Sequence, residues 1–97
     1  MFTGTLSCDV LLGDVRSLKQ KRSVVRPIVA ELRRRFDVCA AEVGHVELYR
    51  RTEIGVAVVA ASPGHCRDVL DAAERFVADR PEIELLSTRR RLHNDED

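Results

Sequence analysis

The sequence predicts an α+β domain in which four strands and two helices follow one another in the order β-α-β-β-α-β. Three observations predict this order: period-two alternation at the start, two apolar stripes at helical spacing, and strand-like stretches between and after those stripes. The 97 residues suit one domain. Two βαβ halves of similar size pack as a four-stranded antiparallel sheet with two helices on one face, so we expect a ferredoxin-like fold.

The first half of the chain contains a strand and a helix interrupted by a proline. Residues 2–12 (FTGTLSCDVLL) alternate apolar and polar, which predicts a strand with one buried face. Ser17 followed by Gln20 has capping-box spacing, so a helix should begin near Leu18. Pro27 lies inside this helix. It either kinks one continuous helix, which we favour, or separates a first turn from a regular helix that begins near Ser23.

The second half contains three strands and one helix. Residues 37–43 predict a strand, residues 44–51 a connection, and the apolar residues 53–61 a central strand. Ser62 and Pro63 suit the cap and first position of a helix that runs to about Arg80 before Pro81. Residues 82–92 predict the last strand. Residues 1–93 should form the domain, and residues 94–97 an acidic flexible tail.

Charge is distributed unevenly along a chain whose net charge is zero. The segment from Asp14 to Arg35 holds eight basic and two acidic residues, so it carries +6 and the other 75 residues carry −6. Within it, Lys19, Arg22, Arg26 and Arg33 follow one another at spacings of 3, 4 and 7, which places them on one helix face. Such a stripe can contact a phosphate backbone, or it can be an ordinary solvated face whose stems cover apolar neighbours.

Several blocks of sequence resemble a known family. SLKQKR (17–22), AEVGH (41–45), ELYRR (47–51) and IGVAVV (54–59) occur in the order typical of the DUF503, or YlxP-like, family of small bacterial proteins. The resemblance implies a ferredoxin-like fold. It also implies an RNA or ribosome role, because genes of the family commonly lie beside those for translation initiation and ribosome maturation factors. The family has no agreed activity and no established catalytic residues.

The sequence and the resemblance together lead to one main functional expectation. It is a noncatalytic, RNA- or ribosome-associated accessory protein that contacts phosphates through the first helix. The residues expected to make these contacts are all basic: Arg16, Lys19, Lys21, Arg22, Arg26, Arg33, Arg50 and Arg51. The alternative is a self-associating scaffold or an ACT-like ligand-sensing module, a homodimer that pairs through the open sheet face. Exposure of Ala57, Val59 and Leu86 together would favour that pairing.

Other chemistry has little support in the sequence. There is no GxSxG, P-loop or GxGxxG motif, so we expect no enzyme, no cofactor and no small-molecule substrate. His45 with Glu42 and Glu47 is a poor metal set, and we expect a turn at Gly44-His45 with Tyr49 anchoring the connection. Arg89 and Arg91 should share one face of the last strand, with Arg90 on the other. The central strands lack aromatic residues, so base stacking on the sheet is not expected.

The cysteines and the apolar runs indicate a cytoplasmic protein. Cys8, Cys39 and Cys66 are odd in number and lack CxxC spacing, so we expect reduced, buried core residues. No apolar run reaches membrane-spanning length, and residues 1–12 lack a basic signal-peptide region.

Overall fold

Six elements follow one another in the predicted order in a computed structural model that describes residues 1–96. They are β1 (Phe2–Leu12), α1 (Leu18–Phe36), β2 (Cys39–Gly44), β3 (Arg51–Ala60), α2 (Pro63–Ala78) and β4 (Ile83–Asn94). The strands form one sheet in the order β2-β3-β1-β4, with every neighbouring pair antiparallel. Both helices pack on one face, so the ferredoxin-like fold is confirmed.

The core lies between the sheet and the two helices. Alternate residues of β1 and β3 point into it, among them Leu6, Cys8 and Ile54, and all three are essentially inaccessible to solvent. Ile28 and Leu32 of α1 meet them from the helix layer. Burying an aliphatic side chain of this size contributes about 1.5–3 kcal/mol, so each of these residues stabilises the fold substantially.

The helix α1 is capped and continuous. The Ser17 hydroxyl accepts a hydrogen bond from the Gln20 amide at 3.1 Å, and the Gln20 side chain accepts one from the Arg16 amide at 2.7 Å. These bonds satisfy amide groups that have no partner within the helix, and they fix its start at Leu18. The helix continues through Pro27 to Phe36, so the alternative of a separate first turn is wrong.

Several element ends differ from the predictions by one or two residues. The second strand begins at Cys39 because Asp37 caps α1 in the left-handed conformation, with φ of 53°. The helix α2 ends at Ala78 and not near Arg80. The last strand includes Asn94, which the sequence placed in the acidic tail, and the Asp95 carboxylate lies 2.8 Å from the amino group of Met1. Asp97 lies outside the described residues.

Candidate functional site

The exposed face of α1 carries the basic stripe that the spacing predicted. Lys19, Arg22, Arg26 and Arg33 are all exposed. Among residues 1–96, no carboxylate or hydrogen-bond acceptor pairs with Lys19, Arg22 or Arg26. The Nε of Arg33 donates to the Ala40 carbonyl at 2.9 Å, which fixes its guanidinium beside β2. Three cations of the stripe therefore face solvent, and a fourth is held at its end.

A groove runs between this stripe and β2. Its volume is about 520 Å³, and Arg22, Arg26 and Arg33 line it from the helix side. Glu42 and Ala41 line it from the strand side, and the apolar Val25 and Val29 also contribute. The groove combines a basic rim with apolar walls, which is an arrangement that can accept a phosphate-bearing chain.

Lys21 does not belong to this basic face, so its placement among the phosphate contacts needs correction. Its side chain is 3% exposed, and its ammonium lies 2.9 Å from the Glu42 carboxylate. The ammonium also donates to the backbone carbonyls of His45 at 2.7 Å and Val46 at 3.3 Å. All three donors are used inside the protein, because Lys21 shares the buried side of α1 with Val25, Ile28 and Leu32.

Two of the remaining predicted contacts, Arg16 and Arg50, have partners within the protein. Arg16 pairs with Asp14 at 3.3 Å, with both side chains mostly in solvent. The Nε of Arg50 donates to the carbonyls of Gly13 at 2.8 Å and Leu12 at 3.3 Å. Arg50 therefore ties the connection before β3 to the segment after β1.

Arg51 lies on the open face of the sheet. Its guanidinium contacts both carboxylate oxygens of Asp9, the nearer at 2.6 Å. This hydrogen bond, together with the charges of Arg51 and His45, lowers the pKa of Asp9 below its usual range. The structure thus separates Arg51 from the α1 stripe, on the opposite side of the sheet.

The connection between β2 and β3 presents apolar side chains to solvent. Val46, Leu48 and Tyr49 are each about half exposed. The anchoring role expected of Tyr49 stays a prediction, and Lys21 anchors the connection through its backbone. His45 forms the turn with φ of 54°, while Gly44 before it keeps a negative φ.

The open sheet face combines polar, apolar and basic residues. Thr5 and Ser7 of β1 lie on it, as the alternation of that strand predicted. Joint exposure of Ala57, Val59 and Leu86 was expected to favour self-association. Val59 is 63% exposed and Leu86 is 42% exposed, whereas Ala57 is half-buried. Pairing with Ser7 and Thr5 places Arg89 and Arg91 on this face.

Arg90 lies on the other side of β4, as its register with Leu6 requires. It is held there by Asp71 at 2.6 Å and Glu74 at 3.1 Å. The predicted alternation of the three arginines is confirmed.

A polar cluster occupies one end of the open face. The Ser7 hydroxyl donates to Glu53, and His45 Nε2 lies 3.7 Å from Asp9. Within residues 1–96, no three His, Cys, Asp or Glu side chains are arranged to hold a metal ion. The polar groups of this cluster interact with one another, as Ser7 does with Glu53 and His45 with Asp9.

The three cysteines are free, and two of them match the expectation of burial. Cys8 and Cys66 are completely buried, and burial raises the pKa of the Cys8 thiol to about 12. Cys39 is exposed, so its assignment to the core is wrong. Its neighbours Val38 and Ala40 point inward, and the strand's alternation turns Cys39 onto the open face.

The fold and its surface define a small ferredoxin-like domain with a basic first helix and one uncovered sheet face. The chain belongs to the DUF503 family, described as proteins of unknown function, whose model matches residues 3–90. It is also similar to a protein of Bacillus subtilis (strain 168) described as "Uncharacterized protein YlxP". The two are 33% identical over 86 residues, which cover 89% of this chain and 94% of the relative. Among the described residues, no helix combines the length and apolar character needed to cross a bilayer.

Proposed function

We propose that this protein is a noncatalytic accessory protein of the cytoplasm that associates with RNA or the ribosome. The α1 stripe would contact phosphates through Lys19, Arg22 and Arg26, with Arg33 at its end. The single observation that carries the proposal is the exposure of these cations without a carboxylate partner among residues 1–96.

The charge balance supports a local contact. The rest of the chain is net negative, so it repels phosphate, and attraction concentrates on the one segment that carries +6. Lys21 takes no part, because its charge is neutralised by Glu42 inside the protein. No aromatic residue lies on the stripe, so the contacts are expected to follow backbone shape and not base sequence.

The proposal is tested by a matched pair of double variants. Arg22→Gln/Arg26→Gln removes two exposed guanidinium groups from α1, and Arg67→Gln/Arg75→Gln removes two from α2. Both variants change the net charge equally and keep helix propensity, so folding should survive in each. Sedimentation with purified ribosomes and filter binding to ribosomal RNA, each at several salt concentrations, provide the measurement.

The α1 variant should bind at least tenfold more weakly than the parent, while the α2 variant should bind like it. The logarithm of the binding constant falls linearly with the logarithm of the salt concentration, and each lost phosphate contact makes that slope less steep by about 0.7–0.9. The α1 variant loses two contacts, so its slope should be less steep than the parent's by about 1.5. Ribosome binding by the α1 variant that equals the parent's would end the proposal. Absence of binding by the parent at physiological salt would also end the proposal. The basic stripe would then be an ordinary solvated helix face.

A further inference from the structure

The face of the sheet opposite the helices contains a shallow trough of about 430 Å³. Its floor belongs to the two central strands, and its sides belong to the two edge strands. The floor residues are Thr5, Ser7, Gly55 and Ala57; the β2 side holds Cys39, Ala41 and Val43; the β4 side holds Arg89 and Arg91.

The floor is low because its side chains are small. Gly55 lacks a side chain, and Val43 leans toward the space above it. A Cβ at position 55 would lie 3.0 Å from a Val43 methyl carbon. Val43 is itself 57% exposed, so it forms an apolar wall beside a floor of small side chains. The Val43 methyl groups therefore cover Gly55, and the apolar surface of the trough is formed by Val43, Ala41 and Ala57 beside the short side chains of Thr5 and Ser7.

The β4 side of the trough is positively charged. The Arg89 side chain is 83% exposed, and its nearest carboxylate, Glu53, is 3.8 Å away. Arg91 has no ion-pair partner among residues 1–96. In contrast, Arg90 on the other side of the strand is held by two carboxylates. The guanidinium of Arg91 is therefore available to a carboxylate from outside, and that of Arg89 is engaged only in a long ion pair with Glu53.

The width of the trough matches one helix. Three inter-strand spacings of about 4.8 Å separate the edge strands, which places β2 and β4 about 14 Å apart. An α-helix with its side chains is about 10–12 Å across, and it fits between the sides when small residues face the floor.

We propose that the open sheet face binds an amphipathic α-helix of a protein partner. The apolar stripe of that helix lies on Val43 and Ala57, and carboxylates on one flank pair with Arg89 and Arg91. This site is independent of the proposed RNA contact, because α1 packs on the opposite face of the sheet.

A second copy of the chain fits this face less well than an acidic helix. Two stacked sheets are related by a two-fold axis between them. When that axis is perpendicular to the strands, β4 of one copy lies over β4 of the other. Arg89 and Arg91 of the two copies then meet. With the axis along the strands, Arg89 and Arg91 face the small apolar residues of β2. Both arrangements bury the Arg91 guanidinium without a carboxylate partner, which is costly.

The test uses two synthetic helical peptides of about sixteen residues. Both have an Ala/Leu stripe, and the flank beside it carries Glu in one peptide and Lys in the other. Amide chemical shifts of the labelled protein are followed during titration to 1 mM peptide. The Glu peptide should shift Thr5, Gly55, Ala57 and Arg91, and it should bind at least tenfold more tightly than the Lys peptide.

Charge-swap variants distinguish peptide binding at the trough from binding at the α1 stripe. Arg89→Glu/Arg91→Glu should reverse the preference in favour of the Lys peptide, while Arg67→Glu/Arg75→Glu on α2 should retain it. Arg22→Gln/Arg26→Gln should leave Glu-peptide binding unchanged, so failure here is distinguishable from failure of the RNA proposal. The inference is overturned by equal binding of both peptides, by shifts confined to α1, by no shift at 1 mM, or by self-association through Ala57 and Val59.

Discussion

The ammonium of Lys21 and the carboxylate of Glu42 form an ion pair of 2.9 Å that is almost closed to solvent on the lysine side. The Thr52 hydroxyl donates to the same carboxylate oxygen at 2.6 Å, and the carbonyls of His45 and Val46 take the other ammonium protons. The first turns of α1 are thereby joined to β2, β3 and the connection between them. This network holds the exposed apolar residues of that connection in place.

Replacing Lys21 by Met should lower the free energy of unfolding by about 3 kcal/mol. The substitution leaves Glu42 with a partly buried charge, and it leaves two carbonyls without their donor. Urea denaturation measures the loss. Lys19→Met, two residues earlier and exposed, is the matched control and should change stability by less than about 0.5 kcal/mol. Equal stabilities for the two variants would show that the pair contributes nothing.

The pair between Asp9 and Arg51 should make stability depend on pH in the acid range. Because the pKa of Asp9 is lower in the folded protein than in the unfolded chain, the pair stabilises the fold above the unfolded pKa. That stabilisation is lost as pH falls through the folded pKa, below about pH 4.

Two variants test this acid-range dependence. Asp9→Asn should be less stable than the parent at pH 7, and the difference should persist to about pH 4 and shrink below it. Arg51→Met should show the same convergence, because it removes the other half of the pair. A parent–variant difference that stays constant between pH 7 and pH 2.5 would contradict the assignment. Thermal unfolding followed by circular dichroism at each pH supplies the data.

The cysteines should differ sharply in reactivity. A disulfide reagent at neutral pH should modify one thiol, Cys39, within minutes, because that side chain is exposed. Cys8 and Cys66 should react only as the protein unfolds, since both are fully buried and the pKa of Cys8 is about 12. Cys39→Ser should abolish the fast phase. A second fast equivalent in the native protein would mean that the core opens locally.

Which features could be predicted from the sequence depended on how local their signals are. The alternation of β1 and the cap at Ser17 are set by residues within a few positions, and both are confirmed. The burial of Lys21 could also have been predicted from nearby residues, although Lys21 was grouped with the basic residues around it. Positions 21, 25, 28 and 32 follow the spacing of the apolar face, which places the lysine among core residues.

Other features depend on strand register, which the sequence does not fix. Asp9 and Arg51 meet because β1 and β3 are antiparallel and aligned so that Asp9 faces Glu53. Cys39 lies in the short strand β2, whose small residues give only a weak alternation signal. The trough arises in the same way, from small side chains on three strands that are distant along the chain.

The two prolines at helix positions should respond oppositely to replacement by alanine. Pro27 lies in the interior of α1, where it has no amide hydrogen to donate to the carbonyl of Ser23 and where its ring crowds that carbonyl. It is exposed, so no packing is lost when it is replaced. Pro27→Ala should therefore raise the free energy of unfolding by about 1–2 kcal/mol, after the greater freedom of the unfolded chain is subtracted.

Pro63 occupies the first position of α2, where the amide hydrogen would have no partner within the helix. Its fixed φ already suits the helix, so Pro63→Ala adds only freedom to the unfolded chain and should lower stability by about 0.4–1 kcal/mol. Chemical denaturation of both variants beside the parent measures the two effects. Destabilisation by Pro27→Ala would mean that α1 needs the distortion that its proline imposes, and the two substitutions would then change stability in the same direction.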